Sequence, residues 1–414
     1  MQLTKPELLA PAGNIEKLET AIRFGADAVY AGLSGASLRS ISEFSIEDLK
    51  QAVKYVQSKK KKLYLAINIF AFDDDIKHLN EILPEINAIG PDALIVSDPG
   101  IIDAISVAGI KIPIHLSTQA NTTNASSVRF WKGRGLSRTG LARELSLLQI
   151  KEIRASVEGI EIEVFVHGAL CLSYSGRCYL SQYLNNRSAN RGDCTQPCRW
   201  KYNLMEETRQ GMYFPVGEDE KGTFIMNSKD LCLARKIPDL IKAGVNAFKI
   251  EGRNKTSYYL ANVVRVYRDI IDRSFEEGEN FSFRDEWMEE LLKVSHRNYT
   301  EGFISGDESD YIFYDDRYVR KFLPVGKITG ITKNGFKDSS QEKFAKLEVR
   351  NKIEKGDELE CISPGMKSVT FTVNNLYLEN GSEVLKANNG MEILIAIPSK
   401  ISAGDFLRKK ELLT

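Results

Sequence analysis

The stretch KLYLAINIFAFDDDIKHLNEILPEINAIGPDALIVSD, residues 62–98, holds one complete structural unit. It opens on KLYLAINIF at 62–70, an apolar run that does not alternate with polar residues and so reads as a strand buried on both faces. DIKHLNEILPEINAIG follows and sets Ile76, Leu79, Ile82 and Leu83 at helical spacing on one side, before DALIVSD at 92–98 begins a second apolar strand. Strand, helix and continuous strand together describe a parallel βαβ unit.

The same unit recurs on both sides. Apolar runs stand at LLAPAG 8–13, ADAVYAGL 26–33, KIPIHLSTQ 111–119, RTGLARE 138–144 and IEIEVFVHG 160–168. Helical patterns lie between them, as in NIEKLETAIRFG, where Leu18, Ala21, Ile22 and Gly25 share a face. With FKIEG at 248–252 the strands number eight, which closes a (β/α)8 barrel; an open doubly wound sheet is the alternative. The expected architecture is therefore an α/β, TIM-like barrel over residues 1–283, with a long loop at about 169–223 after the seventh strand. From about Leu323 the pattern changes to short alternating strands separated by Gly, Asn and Lys turns, such as FAKLEVR and VTFTVNNLYL. This predicts a small antiparallel β-barrel over 323–414, joined by a helical linker at 284–322.

Barrel chemistry gathers where strands end and βα loops begin. The polar residues at those ends are Gly13 with Asn14, Asn68, Asp98, Gln119 with Asn121, Arg143 with Glu144, His167, and Lys249 with Glu251 and Arg253. Asn14 and Asp98 read as helix N-caps, and the others as groups converging on one pocket.

Composition narrows the classes. Apolar residues at 43% and charged residues at 27% exclude a largely disordered chain. The 56 basic and 56 acidic residues cancel, so no global field draws the protein to nucleic acid or to an anionic membrane, and any such contact is local. RWKY at 199–202, KKKK at 59–62 and Arg265, Arg268 and Arg273 are the basic candidates. With no 18-residue apolar span and no leader pattern at the N-terminus, the expectation is a cytoplasmic protein that does not enter a membrane.

Four of the six cysteines, Cys171, Cys178, Cys194 and Cys198, fall within 28 residues, separated by six, fifteen and three residues. In a reducing compartment such a group is a metal or redox site rather than a disulfide framework. Four thiolates suit tetrahedral zinc or an iron–sulfur cluster; no C-x2-C pair is present, and the spacing leaves both open. Cys232, at an apolar helix start, reads as a core residue, and Cys361 in DELECISPG as a strand residue.

ELLAPAGN at 7–14, GADAVYAG, FVHGALCLSYSGRC, SANRGDCTQPCRWKY and FKIEGR resemble the collagenase-like peptidase family U32, over essentially the whole chain. The closing PCRWKY is similar to that of the family's prephenate-dependent tRNA uridine hydroxylases. The resemblance implies a four-iron, four-sulfur (4Fe–4S) cluster on Cys171, Cys178, Cys194 and Cys198. It also implies oxygen-independent hydroxylation of the wobble uridine to 5-hydroxyuridine, prephenate as co-substrate, and tRNA and a paralogous subunit as partners.

On that reading Arg143, Lys249 and Arg253 meet the donor's carboxylates, unless they serve only as ion-pair partners of Glu144 and Glu251 at the barrel rim. His167 is the candidate acid or base, with Arg143, Lys249 and Glu251 beside it in catalysis. Gln119, Glu144, Arg253 and Arg39 are expected on the substrate. Three other functions compete. A cysteine peptidase would use Cys171 with His167 and exclude cluster ligation, while H-E-x-x-H and G-x-S-x-G are absent. The same chemistry could act on another RNA or a quinone precursor, and a zinc-stabilised RNA-binding module would need no catalysis.

Overall fold

Eight parallel strands, each followed by a helical layer, close on themselves in a computed structural model that describes residues 4–37, 43–171, 173–199, 217–219, 222–224, 228–306, 318–332 and 343–411. In chain order they are β1 (Glu7–Ala12), α1 (Ile15–Arg23), β2 (Ala28–Leu33), α2 (Ile46–Ser58), β3 (Lys62–Ile67), α3 (Asp73–Ile89), β4 (Ala93–Val96) and α4 (Pro99–Val107). Then come β5 (Ile114–Leu116), α5 (Ala125–Gly133), β6 (Arg138–Gly140), α6 (Leu147–Ser156), β7 (Glu161–Ala169), α7 (Leu180–Asn185), α8 (Ile237–Lys242), β8 (Ala247–Ile250) and α9 (Ser257–Glu277). Closure is made by β8, which pairs in parallel with β1 from Glu7↔Ala247 and with β7 from Glu163↔Ala247. The closed barrel, not the open sheet, is the fold.

Local sequence accounts for the helix starts. Asn14 accepts from the Lys17 amide at 2.9 Å, and Asp98 accepts from the Gly100 amide at 2.8 Å. Ser45 with Asp48 and Ser146 with Gln149 form capping boxes. The helices bury their apolar faces on the outside of the barrel, where Leu18, Leu49, Leu83 and Val264 belong to one core.

The barrel interior is less apolar than its strands suggest. Leu9, Ala28, Tyr30, Tyr64 and Ile95 form a small core, beside which a buried ionic chain runs along the axis. Arg138 bonds Glu7 at 2.7 Å and faces Glu163 at 3.6 Å, and Glu163 in turn bonds Lys249 at 2.8 Å.

After α9 the chain forms α10 (Asp285–Leu291) and then a second unit with its own core, including Leu347, Leu359, Ile393 and Leu407. Its strands are β9 (Phe322–Thr332), β10 (Lys343–Val349), β11 (Glu358–Ile362), β12 (Ser368–Thr372), β13 (Leu376–Tyr377), β14 (Glu383–Val384), β15 (Glu392–Ile397) and β16 (Phe406–Lys410). They make one antiparallel sheet in the order β12, β11, β16, β9, β10, β15, β13, β14. The antiparallel character expected from alternation is present; among the described residues the two ends of the sheet do not pair to close a barrel. The sheet is tied to the barrel by Arg408 of β16, which bonds Glu290 of α10 at 2.8 Å and Glu360 of β11 at 2.6 Å. Among the described residues no helix is long and apolar enough to cross a membrane.

Candidate active site

At the C-terminal face of the barrel a cavity of about 150 Å³ is bounded below by strand ends and above by the loop that follows β7. From the barrel come Tyr30, Asn68, Ser117, Gln119, Arg143, Phe165, Lys249, Glu251 and Arg253. The loop contributes Cys171, Cys178, Cys194 and Cys198, so all four clustered cysteines line one space.

The loop holds its course through bonds to the barrel. Ser175 adopts a left-handed backbone with φ 48°, a conformation that a serine keeps only when its surroundings fix it. Glu144 does so, accepting from the Ser175 amide at 2.6 Å and from its hydroxyl at 3.0 Å. Arg177 donates through Nε to the Gln119 carbonyl at 2.7 Å, and Arg191 clamps Asp75 at the start of α3 at 2.6 and 2.9 Å. Asn190 accepts from the Cys178 amide at 3.1 Å, which joins the first half of the loop to the second.

The barrel cations are held by aromatic faces and carboxylates. Lys249, buried, lies 4.6 Å from the Tyr30 ring centre and 5.3 Å from that of Phe165. Arg143 sits over Phe165 at 5.6 Å. Arg253, also buried, bonds the Ser37 hydroxyl at 3.1 Å. Tyr30 donates to the Ile250 carbonyl at 3.0 Å and to Glu251 Oε2 at 3.2 Å. Gly168, with φ 111°, admits Glu251: a Cβ there would meet the Glu251 carbonyl oxygen at 2.4 Å.

Several expected site residues are thus brought together: Gln119, Arg143, Lys249, Glu251, Arg253 and the four cysteines. Two are not. His167 turns away from the cavity and packs among the rings of Tyr259, Tyr267 and Tyr299, bonded through Nδ1 to the Tyr267 hydroxyl at 3.3 Å. Its Nε2 is buried without a partner, so the Cys171–His167 dyad of a peptidase is not formed. Burial pushes the His167 ring down to about 3, which keeps it neutral. The physical reason is a β-bulge. β8 pairs Lys249 with Phe165 but Ile250 with His167, and this one-residue slip reverses the alternation, leaving Phe165 inward and His167 outward. Glu144, expected on the substrate, is absent from the cavity wall and braces Ser175 instead.

Arg39 lies outside the described residues, as do Trp200, Lys201 and Tyr202 of the RWKY segment. The other basic candidates are committed elsewhere. Arg265 is buried against Glu290, Arg268 bonds Asp27 at 2.6 Å, and Arg273 bonds Asp269 at 3.1 Å. Lys62 opens β3 at the opposite end of the barrel from Asn68, so the lysine run is remote from the cavity. Cys232 and Cys361 are buried, their thiols pushed up by burial to about 11 and about 12. Tyr30 and Glu163 were hidden in apolar strands; the signal for Tyr30 was one polar side chain at the inward parity of its run, and for Glu163 a polar parity shared with Glu161 and His167.

Among the described residues no three His, Cys, Asp or Glu side chains stand close enough to hold one metal ion. A single zinc needs its sulfurs at about 2.3 Å from one point. A cluster takes one thiolate on each of its irons, and so accepts sulfurs spread around a cavity wall. The donor set here, four cysteines lining one space, fits such a cluster.

Two family models match the chain: peptidase family U32 over residues 13–312, and the peptidase family U32 C-terminal domain over residues 326–408. The tRNA hydroxylation protein P1 of Bacillus subtilis is 38% identical, covering 98% of this chain and 95% of its own. The tRNA hydroxylation protein P of Escherichia coli is 37% identical over 96% of this chain and 95% of its own. A 23S rRNA 5-hydroxycytidine synthase of Escherichia coli is 35% identical over 79% of this chain and 49% of its own.

Proposed function

This chain belongs to peptidase family U32, and from that starting point we propose that it is an oxygen-independent tRNA hydroxylase. It converts the wobble uridine to 5-hydroxyuridine, with a 4Fe–4S cluster on Cys171, Cys178, Cys194 and Cys198 and prephenate as oxygen donor. The observation that carries the reading is the convergence of those four thiols with Arg143, Lys249 and Arg253 on one cavity. Relatives named for tRNA hydroxylation match along nearly the whole chain, which favours tRNA over a quinone precursor as substrate. The peptidase reading lacks its dyad, because His167 is turned into the aromatic core.

Bound there, the cluster supplies one-electron chemistry beside the substrate. The protein's own residues do the rest. Arg143 and Arg253 offer planar, forked donors to the carboxylates of the donor, and Lys249 adds a point charge. Lys249 and Arg253 are buried, so their pull on an anion is screened far less than at the surface. Phe165 and Tyr30 wall the cavity with rings against which a pyrimidine can lie. Glu251, its Oε2 held by the Tyr30 hydroxyl, takes the proton released at the pyrimidine ring.

Protein purified without oxygen should carry about four iron and four sulfide per chain, as one cubane cluster requires. Both should be lost in a Cys194→Ala, Cys198→Ala double variant. Transfer RNA from cells lacking the gene should be without 5-hydroxyuridine by mass spectrometry, and the wild type alone should restore it. Zinc in place of iron, or unchanged tRNA in the deletion strain, would overturn the reading.

A further inference from the structure

The loop that delivers the four thiols also carries an outward face that the cavity does not use. Between Ser173 and Cys198 it holds three arginines against one aspartate and has no lysine or glutamate, in a protein whose charges otherwise cancel. Its exposed large hydrophobic side chains are Leu184 and three tyrosines, of which Tyr174 is 51% exposed, Tyr179 70% and Tyr183 77%. Aromatic rings exposed to this degree within ten residues forfeit much of the burial that normally holds such groups, which marks a contact surface. Tyr179 and Tyr183 are four residues apart, and the Tyr183 amide bonds the Tyr179 carbonyl at 2.9 Å, so the two rings leave the same side of α7.

Arg177 stands between Tyr174 and Tyr179, and Arg187 and Arg191 follow Tyr183. Arg177 is anchored through Nε to Gln119, a residue of the cavity wall, with its guanidinium 5.3 Å over the Phe70 ring. Among the described residues it contacts no carboxylate. Arg187 and Arg191 are exposed and held in fixed poses by Asp193 and Asp75. This collar is continuous with the cavity, since Cys178 and Leu180, on either side of Tyr179, both line it.

We propose that this collar is a docking surface for unpaired nucleotides of an RNA loop, those flanking the base that enters the cavity. The inference rests on the hydroxylase reading and adds the surface by which the RNA is gripped. Unstacked bases are the partner that exposed tyrosines suit, because every base offers a π-face while the bases of a duplex are already stacked. Arg177, between two of the rings, meets a phosphate that accompanies the bases.

The test is fluorescence anisotropy with a labelled RNA hairpin carrying uridine in its loop, and with the same RNA annealed into a full duplex. A Tyr179→Ala, Tyr183→Ala double variant should bind the hairpin about ten-fold or more weakly, given the usual worth of one stacked base. Its salt dependence and its iron content should stay at the wild-type level. Arg177→Gln should instead lower the slope of log affinity against log salt by about 0.7, one phosphate contact on a single strand. Wild-type protein should prefer the hairpin to the duplex.

Equal binding of hairpin and duplex, or tyrosine variants that bind the hairpin like the wild type, would overturn the collar. So would variants that keep RNA affinity but lose self-association in light scattering, since the rings would then cover a second copy of the chain. Failure of the hydroxylase reading shows separately, as deletion-strain tRNA that keeps its 5-hydroxyuridine even where hairpin binding and its loss in the variants are intact.

Discussion

Among the described residues Lys249 has its charge balanced by a single carboxylate, Glu163, at 2.8 Å, with two ring faces on its other sides. Removing one partner of a buried pair costs more than replacing both, because the survivor keeps its desolvation penalty. Glu163→Ala strands Lys249, and is expected to cost about 3–5 kcal/mol in urea unfolding. Lys249→Met leaves Glu163 still facing Arg138 at 3.6 Å, so it should cost clearly less while abolishing donor binding. Equal costs would refute this division of labour. Gly32 sets a second constraint, since a Cβ there would lie 2.2 Å from Arg253 Nη1 and 2.2 Å from the Ser37 hydroxyl. Gly32→Ala should push Arg253 off its perch and raise KM for the anionic donor about ten-fold, the worth of one charged hydrogen bond. An unchanged KM would remove Arg253 from the donor site.

Glu144 acts at the scale of the element, on the turn between Cys171 and Cys178. It supplies two bonds that hold Ser175 in its left-handed backbone, and Gly176 follows at φ 81°. Glu144→Ala should therefore lower the iron retained per chain on desalting, while the barrel melts within a few degrees of the wild type. Ser175→Gly accepts the same backbone freely and should retain more iron than Glu144→Ala. If both variants hold iron like the wild type, the turn is not what sets the thiols. This element also marks how far the sequence could be read. Continuous apolar runs disclosed all eight barrel strands, because a strand buried on both faces cannot hide its composition. The clustered cysteines disclosed the cavity wall for a similar reason, being out of place in a Gly, Ser and Asn loop. The direction of His167 was not legible, because a one-residue bulge reverses parity without changing composition. Nor was the bracing role of Glu144, whose partner lies 31 residues away and is met only once the loop folds back.

Across the whole molecule, acid should act on the fold through two groups of residues in different pH windows. Burial holds His167 at about 3, and burial with the nearby Arg138 and Lys249 holds His115 at about 2, both far below the ordinary value near 6.5. The unfolded chain takes up these protons below about pH 6.5 and the folded chain does not, so stability falls as pH drops from there toward 3. Glu290 belongs to the contact between barrel and C-terminal sheet, where it accepts from Arg408 at 2.8 Å, from Lys293 at 2.7 Å and from Arg265. Burial alone would raise its pKa, but Arg265 and Arg408 overcome that and hold it at about 2. A carboxyl depressed in this way stabilises the fold above its unfolded value near 4.3, and the contribution is lost as pH falls from there toward 2. Melting temperature should therefore decline gently between pH 6.5 and 4.5 and more steeply below. A His115→Phe, His167→Phe double variant should flatten the gentle limb and keep the steep one. Glu290→Gln should keep the gentle limb and reduce the steep one, to which the depressed carboxyls of Asp230 and Glu360 also contribute, starting from a lower melting temperature because Arg265 and Arg408 then lose the countercharge they share. If Glu290→Gln leaves the steep limb intact, the seam between the two units is not where acid opens the molecule.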